Sequence, residues 1–474
     1  MDELDKIEHE VLARIKPSED EHKHVLDTVD ELISKINEVT TQLNIKVEPE
    51  LVGSVAKGTY LWKPDIDLFV LFSTSVPRGE LARYGLEIGR RVLPNGYERY
   101  AEHPYITGNY HGYEVDIVPC YKVAHATELK SAVDRTPFHT RYIIEHLQEP
   151  QKNDVRLLKQ FLKGIGVYGA EIEVQGFSGY LAELLILKYG NFHNLINACA
   201  KWKAGKLIKL DPKMAVSNTL LESDDPLIVV DPVDPSRNVA SALALQNMAK
   251  FIVACKSYIE TPKLTFFFPS VKYAQPASLD VLKKQWEARK TSIVGISIRA
   301  PQITADVLYG QVRKALGAVV KLCENHGFNV LNSSYFVFEP EPIEAGKPRV
   351  ASEILLLLEF EIARLPIAYR HVGPHVWHPN ATKFLTKWRN KSALAETFSE
   401  PYIEDGRWVV MMQRQFTTVP QLISAKLTTI NLGKHLNDMV QKNFKIIVDA
   451  ELFRPPYAGA LTKFLIPQLP WDTH

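Results

Sequence analysis

The stretch Gly53–Val70, GSVAKGTYLWKPDIDLFV, sets the first constraint on this chain. A Gly-Ser pair leads into a loop, Asp65 and Asp67 stand two positions apart, and Ile66 to Phe72 is a nearly unbroken apolar run. Such a run predicts a strand covered on both faces. Side chains at i and i+2 of a strand share a face, so Asp65 and Asp67 point the same way. A carboxylate at the lip of a buried strand is costly unless a cation sits against it.

A third acid, Asp116, lies in YEVDIVP with Val115, Ile117 and Val118 around it. If its strand adjoins the first, three carboxylates converge, and they cannot all ionise in a protected pocket without divalent cations. Oxygen ligands in a partly open site suit magnesium. Two such ions stabilise the attacking and leaving oxygens of a phosphoryl displacement. Gly53 lets the backbone approach a phosphate, Ser54 offers a hydroxyl and an amide, and Lys57 adds positive charge. Taken singly, an Asp near a strand start is often a turn residue. The weight rests on Gly-Ser, the gap, the Asp pair and the later Asp together.

Outward from this stretch, Ser18 to Leu43 reads as a helix. Ser18 and Glu21 form a capping box, and Val25, Val29, Leu32, Ile33, Ile36, Val39 and Leu43 form one stripe. Ile45 to Val52 is a short strand interrupted by Pro49. Tyr105-Ile106, a turn between Gly108 and Gly112, and Glu114 to Val118 form a hairpin. From Asn153 the pattern is helical, with a glycine-punctuated stretch Gly164–Gly176, then helices Ser178–Tyr189 and Asn238–Tyr258. Ile293–Ile298, Phe328–Val330, Tyr335–Phe338 and Ile354–Glu361 read as strands and Ala305–His326 as a helix. Residues 362–400 are polar and rich in His, Pro and Trp, like an appended tail. Trp408–Phe416 as a strand and Gln421–Gln441 as a helix suggest that the sheet domain resumes.

A length of 474 residues implies about three domains. The net charge of +1 means any polyanion site is a local concentration of Lys and Arg. Four scattered cysteines show no metal-ligand spacing and fit a reducing compartment. The charged start, MDELDKIEHE, is unlike a signal peptide, and no apolar run is long enough to span a membrane. A cytoplasmic protein is expected.

Gly-Ser, a gap of about ten residues, the Asp pair and a third strand Asp resemble the nucleotidyltransferase superfamily built around the DNA polymerase β palm. In order, DIDLFV, YEVDIVPCY, DRTPFHTRY, VRLLKQFLKGIGVYGAE and DPVDPSRNVA resemble the archaeal, class I, CCA-adding enzymes (tRNA nucleotidyltransferases). The resemblance implies an α+β multidomain fold: a palm-bearing head over 1–150, a helical neck over 151–260 and an α+β body over 261–361. A tail over 362–400 and a return to the body over 401–474 complete it.

By the same resemblance Asp65, Asp67 and Asp116 hold Mg2+, and Ser54 and Lys57 meet the triphosphate. Family members often carry Arg where Lys57 stands; the lysine keeps the charge and loses the fork. Thr136 and His139 match nucleotide contacts, Lys159 the triphosphate lysine, and Tyr168 a residue facing sugar or base. Without the family, Lys159 with Arg156 and Lys163 reads as a solvated basic face, and His139 as a surface or structural histidine. Arg237 reads as a plain helix N-terminal residue or as the reader of the incoming base. Cytosine and adenine both offer a ring-nitrogen acceptor beside an amino donor, which an Arg beside an acceptor accepts. Lys201–Lys206, Arg299 and Lys383–Lys391, including Lys387 and Arg389, are the candidates for gripping RNA phosphates.

The implied reaction is template-independent transfer of CMP, CMP and AMP to a tRNA 3′ end from CTP and ATP, without a covalent enzyme intermediate. No membrane partner is implied. The oligomeric state is open, a homodimer included. The rivals are a poly(A) polymerase or an oligoadenylate synthetase on the same palm, and a non-catalytic RNA-binding protein.

Overall fold

The structure is a computed structural model that describes residues 3–100, 102–270, 275–339, 351–389 and 396–472. Lys391, the end of the basic run named above, lies outside the described residues. The chain forms two compact units. One is built from residues up to 270 with 468–472, the other from residues between 275 and 467.

The first unit opens with α1 (Glu3–Ile15) and α2 (Glu19–Gln42). The Ser18–Glu21 capping box closes the start of α2 as its sequence predicts. Helix α1 was not foreseen. Its apolar residues Leu4, Ile7, Val11 and Ile15 recur at helical spacing and pack on the helical core.

Strand β1 (Val47–Val52) leads into α3 (Gly53–Lys57), so the Gly-Ser stretch is helical rather than a loop. Then come β2 (Ile66–Ser73), α4 (Arg78–Val92), β3 (Tyr97–Tyr100), β4 (Pro104–Tyr110) and β5 (Tyr113–Lys122). The sheet order is β1-β2-β5-β4-β3. Strand β2 is antiparallel to β1 and parallel to β5. The hairpin β4-β5 turns at His111-Gly112, both in the left-handed region (φ 51° and 87°), as a two-residue hairpin loop requires.

Alternation decides which face is which. Ile66, Leu68, Val70 and Phe72 pack with residues of α2 and α4, such as Leu32, Ile36, Leu81 and Ile88. Phe69, Leu71, Val118 and Cys120 form a separate cluster on the opposite face. Asp67 and Asp116 share that second face by the period of 2.

Helix α5 (Thr136–His146) follows, then α6 (Glu149–Gly164), α7 (Gly179–Tyr189) and α8 (Phe192–Cys199). These pack with the helix Leu245–Glu260 around Leu158, Phe161, Leu184, Leu185, Phe251 and Phe267. Helix α6 begins four residues before Asn153, because Gln148 and Gln151 cap it and a Pro sits in its first turn. The last helix starts at Leu245 rather than Asn238. Asn238 instead ties a turn, its Oδ1 accepting from Val229 N and Ala240 N, and its Nδ2 donating to Leu227 O and Asp225. Side-chain to backbone bonding of this kind competes with helix. The short parallel pair β6 (Lys206–Ile208) and β7 (Leu227–Val229) precedes it.

In the second unit β8 (Ser292–Arg299), β9 (Val330–Phe338) and β10 (Glu353–Phe360) join a later strand, β14 (Phe444–Val448), in the order β14-β8-β10-β9. The helix Ala305–Asn325 covers one face. Strands β11 (Ala368–His375), β12 (Tyr402–Glu404) and β13 (Arg407–Gln413) form a separate sheet, with the helix Ala381–Trp388 beside it. The strand expected at Trp408–Phe416 thus belongs to this three-stranded sheet, and β14 (Phe444–Val448) is what returns to the larger one. The helix expected over Gln421–Gln441 is two, Val419–Lys426 and Lys434–Lys442, separated at Gly433 (φ 101°). Among the described residues no helix is long and apolar enough to cross a membrane.

Candidate active site

The carboxylates come first because the sheet places them. In the parallel pair Asp67 stands opposite Asp116; in the flanking pairs Asp67 stands opposite Val52, and Asp116 opposite Thr107. One level of the sheet therefore reads Val52, Asp67, Asp116, Thr107. Asp65 lies one residue before β2 and is exposed. Burial, then the Asp116 and Asp65 charges, push the Asp67 carboxyl up to about 7, against Lys57. Burial pushes Asp116 up to about 6, opposed by the hydrogen bond that Thr107 Oγ1 donates at 2.6 Å. Burial and Glu114 raise Asp65 more modestly.

These groups fit a hard divalent cation. The donors are carboxylate oxygens, and their mutual repulsion is what a cation relieves. Among the described residues no three His, Cys, Asp or Glu side chains are grouped to hold a metal ion by themselves. A magnesium ion carried by one or two carboxylates and completed by substrate phosphates needs no such group.

Gly53 follows Val52 and has φ 71°, a conformation glycine alone adopts cheaply. A Cβ there would sit 2.0 Å from Asp67 Oδ2. The backbone thus presses directly against the carboxylate. Gly53 N–H points to Thr140 Oγ1 at 3.3 Å, and that hydroxyl donates to Thr136 O at 3.0 Å. Thr136 begins α5, and Ser54 sits half-buried in α3. Thr140 is a contact that the sequence reading missed, one turn beyond Thr136.

Lys57 and Lys159 meet on a buried acid that the reading also missed, Glu183 on α7. Lys57 Nζ donates to Glu183 Oε2 at 2.7 Å, and Lys159 Nζ to Oε1 at 3.0 Å. Thr59 Oγ1 donates to Oε1 at 2.6 Å. Burial works to raise the Glu183 carboxyl, but Lys159, Lys57 and the hydrogen bonds hold it down to about 2. Burial lowers Lys159, with Glu183 opposing. Arg156 is buried too, donating to Tyr60 O at 3.0 Å and Gly58 O at 2.7 Å. The solvated-face picture therefore holds for Lys163 alone, which lies 5.3 Å from the Tyr168 ring. Tyr168 is half-buried and its hydroxyl is raised, chiefly by burial.

His139 and Arg237 share a second buried acid, Asp231. His139 Nε2 lies 2.9 Å from Asp231 Oδ2, Arg237 Nη1 3.0 Å from the same oxygen, and Tyr180 OH donates to Oδ1 at 3.2 Å. The His139 ring stacks on Tyr180 at 3.9 Å. Burial would raise Asp231, yet the His139 hydrogen bond and nearby cations hold it below the usual range. Burial lowers His139, with Asp231 opposing. Arg237 lies in the turn before Asn238 rather than at a helix start. Asp231 is the first Asp of DPVDPS.

The candidates for RNA contact stand elsewhere. Lys201 and Lys206 are exposed beside buried Trp202. Arg299 is exposed at the end of β8 and lines a cavity of ≈ 810 Å³ with Lys442, Lys445, Arg454 and Tyr457. Lys383, Lys387 and Arg389 are exposed on and just after the helix Ala381–Trp388, with Lys387 4.5 Å from the Trp388 ring.

Residues 33–139 match the nucleotidyltransferase domain family, which fits a sheet with level carboxylates beside a glycine turn. Residues 153–268 match the second domain of tRNA nucleotidyltransferases, and residues 289–449 the C-terminal domain of CCA-adding enzymes. The CCA-adding enzyme of Haloarcula marismortui is 38% identical over 461 residues, covering 95% of this chain and 96% of that protein. The CCA-adding enzyme of Methanosarcina acetivorans is 38% identical over 450 residues, covering 94% of each. A solved structure of the Cid1 poly (U) polymerase aligns at TM-score 0.44 and 15% identity over 54% of this chain and 92% of that one.

The fold and the site thus define a nucleotidyltransferase. More narrowly, the chain belongs to the CCA-adding enzyme family, the tRNA nucleotidyltransferases of archaea.

Two outcomes follow. Gly53→Ala must displace the Asp67 carboxylate, so nucleotidyl transfer should fall by about a hundredfold, the cost of a misplacement near 1 Å, while circular dichroism stays native. A variant of near wild-type rate would show that Asp67 tolerates the shift. In chelator, Asp67 and Asp116 bind protons more tightly folded than unfolded. Their contribution is present below an unfolded pKa of about 4 and is lost as pH rises through about 6 to 7. The thermal midpoint of Asp67→Asn should therefore overtake that of wild type between pH 5 and 8. Parallel curves would contradict the raised values.

Proposed function

We propose that the chain adds C, C and A in turn to the 3′ end of tRNA, using CTP and ATP and releasing pyrophosphate each time. The observation that carries the reading is the level pairing of Asp67 and Asp116 against the Gly53 turn, in a chain related to CCA-adding enzymes along nearly its whole length. On this reading Asp65, Asp67 and Asp116 hold Mg2+, in a two-metal arrangement. Magnesium bound there would lower the pKa of the terminal 3′-hydroxyl and neutralise the leaving pyrophosphate.

The chain's own groups do the rest. The Gly53–Ser54 backbone and Lys57 receive the triphosphate; Lys159, the triphosphate lysine by family resemblance, reaches it by giving up a bond of the buried network behind Lys57. Thr136, His139 and Tyr168 flank sugar and base. Asp231 fixes Arg237 by one arm, which leaves the rest of its fork for a base edge that cytosine and adenine share. Residues 1–150 serve as head, 151–260 as neck and 261–361 as body; the tail expected over 362–400 extends through β12 and β13, which pair with β11, and the body resumes after them with β14. Arg299, Lys383, Lys387 and Arg389 grip RNA phosphates, and tRNA would be met in the cytoplasm.

The test uses tRNA lacking its terminal CCA. With CTP alone the product should gain two C and stop; with ATP alone, tRNA ending in CC should gain one A and stop. Long A tails on any RNA 3′ end would replace this reading with a poly(A) polymerase.

A further inference from the structure

Glu183 is the buried group that the chemistry above leaves without a role. It lies in α7, GYLAELLILKY, where Leu181, Ala182, Leu184, Leu185 and Ile186 are all buried around it. It is wholly buried itself. A lone carboxylate in such a helix is strongly unfavourable, so its partners must justify it.

Those partners are unequal. An ammonium has three donors. Lys159 spends all three, on Glu183 Oε1 at 3.0 Å, Thr59 O at 3.2 Å and Thr59 Oγ1 at 3.0 Å. Lys159 is therefore saturated by protein. Among the described residues Lys57 makes one hydrogen bond, to Glu183 Oε2 at 2.7 Å, and its ammonium lies 5.8 Å from the Tyr180 ring. Two donors of Lys57 remain for something else. Lys57 stands one turn beyond Gly53, in the same short helix, and Asp67 feels its charge.

The charge count points the same way. Two ammonium groups and one carboxylate leave a single net positive charge in a buried place. Arg156 does not change that balance at the trio, since it is spent on the carbonyls of Gly58 and Tyr60. The other titratable groups facing the trio are the Tyr168 and Tyr180 hydroxyls, both raised chiefly by burial and so neutral, and, beside Lys57, the His139 ring, which burial lowers, and the raised Asp67 carboxyl. A surplus positive charge with free donors is completed by a polyanion.

We infer that Glu183 is the positioning residue for the triphosphate. It anchors the Lys57 ammonium beside the Gly53–Ser54 turn, while Lys159 balances the anchor's charge and leaves the trio net positive. The inference rests on the nucleotidyltransferase reading given above. The simpler role is a staple, in which Glu183 only ties α3, α6 and α7 together. The two differ in what they do to nucleotide affinity.

Glu183→Gln keeps the shape and a hydrogen-bonding oxygen while removing the charge. Its KM for CTP and for ATP should rise by about 10- to 100-fold, the range for losing one hydrogen bond to a charged group, with kcat at saturating nucleotide changed far less. Two ammoniums left without their carboxylate also repel, so one sheds its proton more readily. The KM ratio of variant to wild type should accordingly climb between pH 7 and 9. Glu183→Gln/Lys159→Met restores the net charge. It should abolish that climb yet keep the raised KM, since Lys57 still lacks its anchor. The double variant also reads the proposal if the single one folds poorly.

A KM within about twofold of wild type in both variants, with only a lower melting midpoint, would make Glu183 a staple and overturn the inference. Calorimetric titration with MgATP and MgCTP separates the two claims. If wild type transfers no nucleotide to tRNA, the functional reading fails, while the affinity difference between wild type and the variants still decides the role of Glu183.

Discussion

Strand β2 runs parallel to β5 in a register that sets Asp67 level with Asp116. Two carboxylates on one level of adjacent strands repel, and the Lys57 and Arg99 charges nearby offset that repulsion and the burial only in part. Both stay raised, Asp67 to about 7 and Asp116 to about 6. The neighbouring features answer to this level. Thr107 donates to Asp116 from the next strand, and Gly53 gives up a side chain so that the backbone can lie against Asp67. The parallel pairing also explains the connection, since α4 has to cross over between β2 and the β3-β4-β5 meander.

Around that level the lysines, Arg237 and the His139 ring are held by buried acids. Glu183 takes Lys57 and Lys159, and Asp231 takes His139 and Arg237. Breaking a buried pair by removing one partner costs about 3–5 kcal/mol, so the Glu183 cluster fixes where its two lysines point. The two clusters meet at Tyr180, whose ring stacks on His139, lies near Lys57, and whose hydroxyl reaches Asp231. A site that handles a polyphosphate can then present fixed donors and avoid ordering loose lysines at each binding event.

The parts legible in the sequence were those with a short-range signature. The Ser18 capping box, the two-sided run around Asp67 and the hairpin that carries Asp116 each depend on neighbours within a few residues, whereas the Gly-Ser stretch, expected to lead into a loop, opens a short helix. What was not legible depended on distant partners. A basic triplet on α6 looked solvated because the acid that buries Lys159 lies 24 positions later, on another helix. Glu183 did carry a signal, as one acid in an otherwise apolar helix. Asp231 was one of two Asp in a turn-like DPVDPS, with nothing local to say which one reaches His139. Asn238 looked like a helix start because its bonds to the β7 backbone cannot be read from spacing. Strand β13 looked like a return to the larger sheet because pairing partners, unlike strands, leave no periodicity behind.

The central claim is that the Asp67–Asp116 level is a cation site completed by substrate. Manganese can stand in for magnesium as a spectroscopic probe. Electron paramagnetic resonance titration of Mn2+ into the protein, with and without a non-hydrolysable CTP analogue, measures the claim directly. Binding should tighten with the analogue, and Asp67→Asn and Asp116→Asn should each weaken it by at least about the tenfold that loss of a mere outer-shell partner costs. Binding of equal strength in wild type and both variants would place the metal elsewhere.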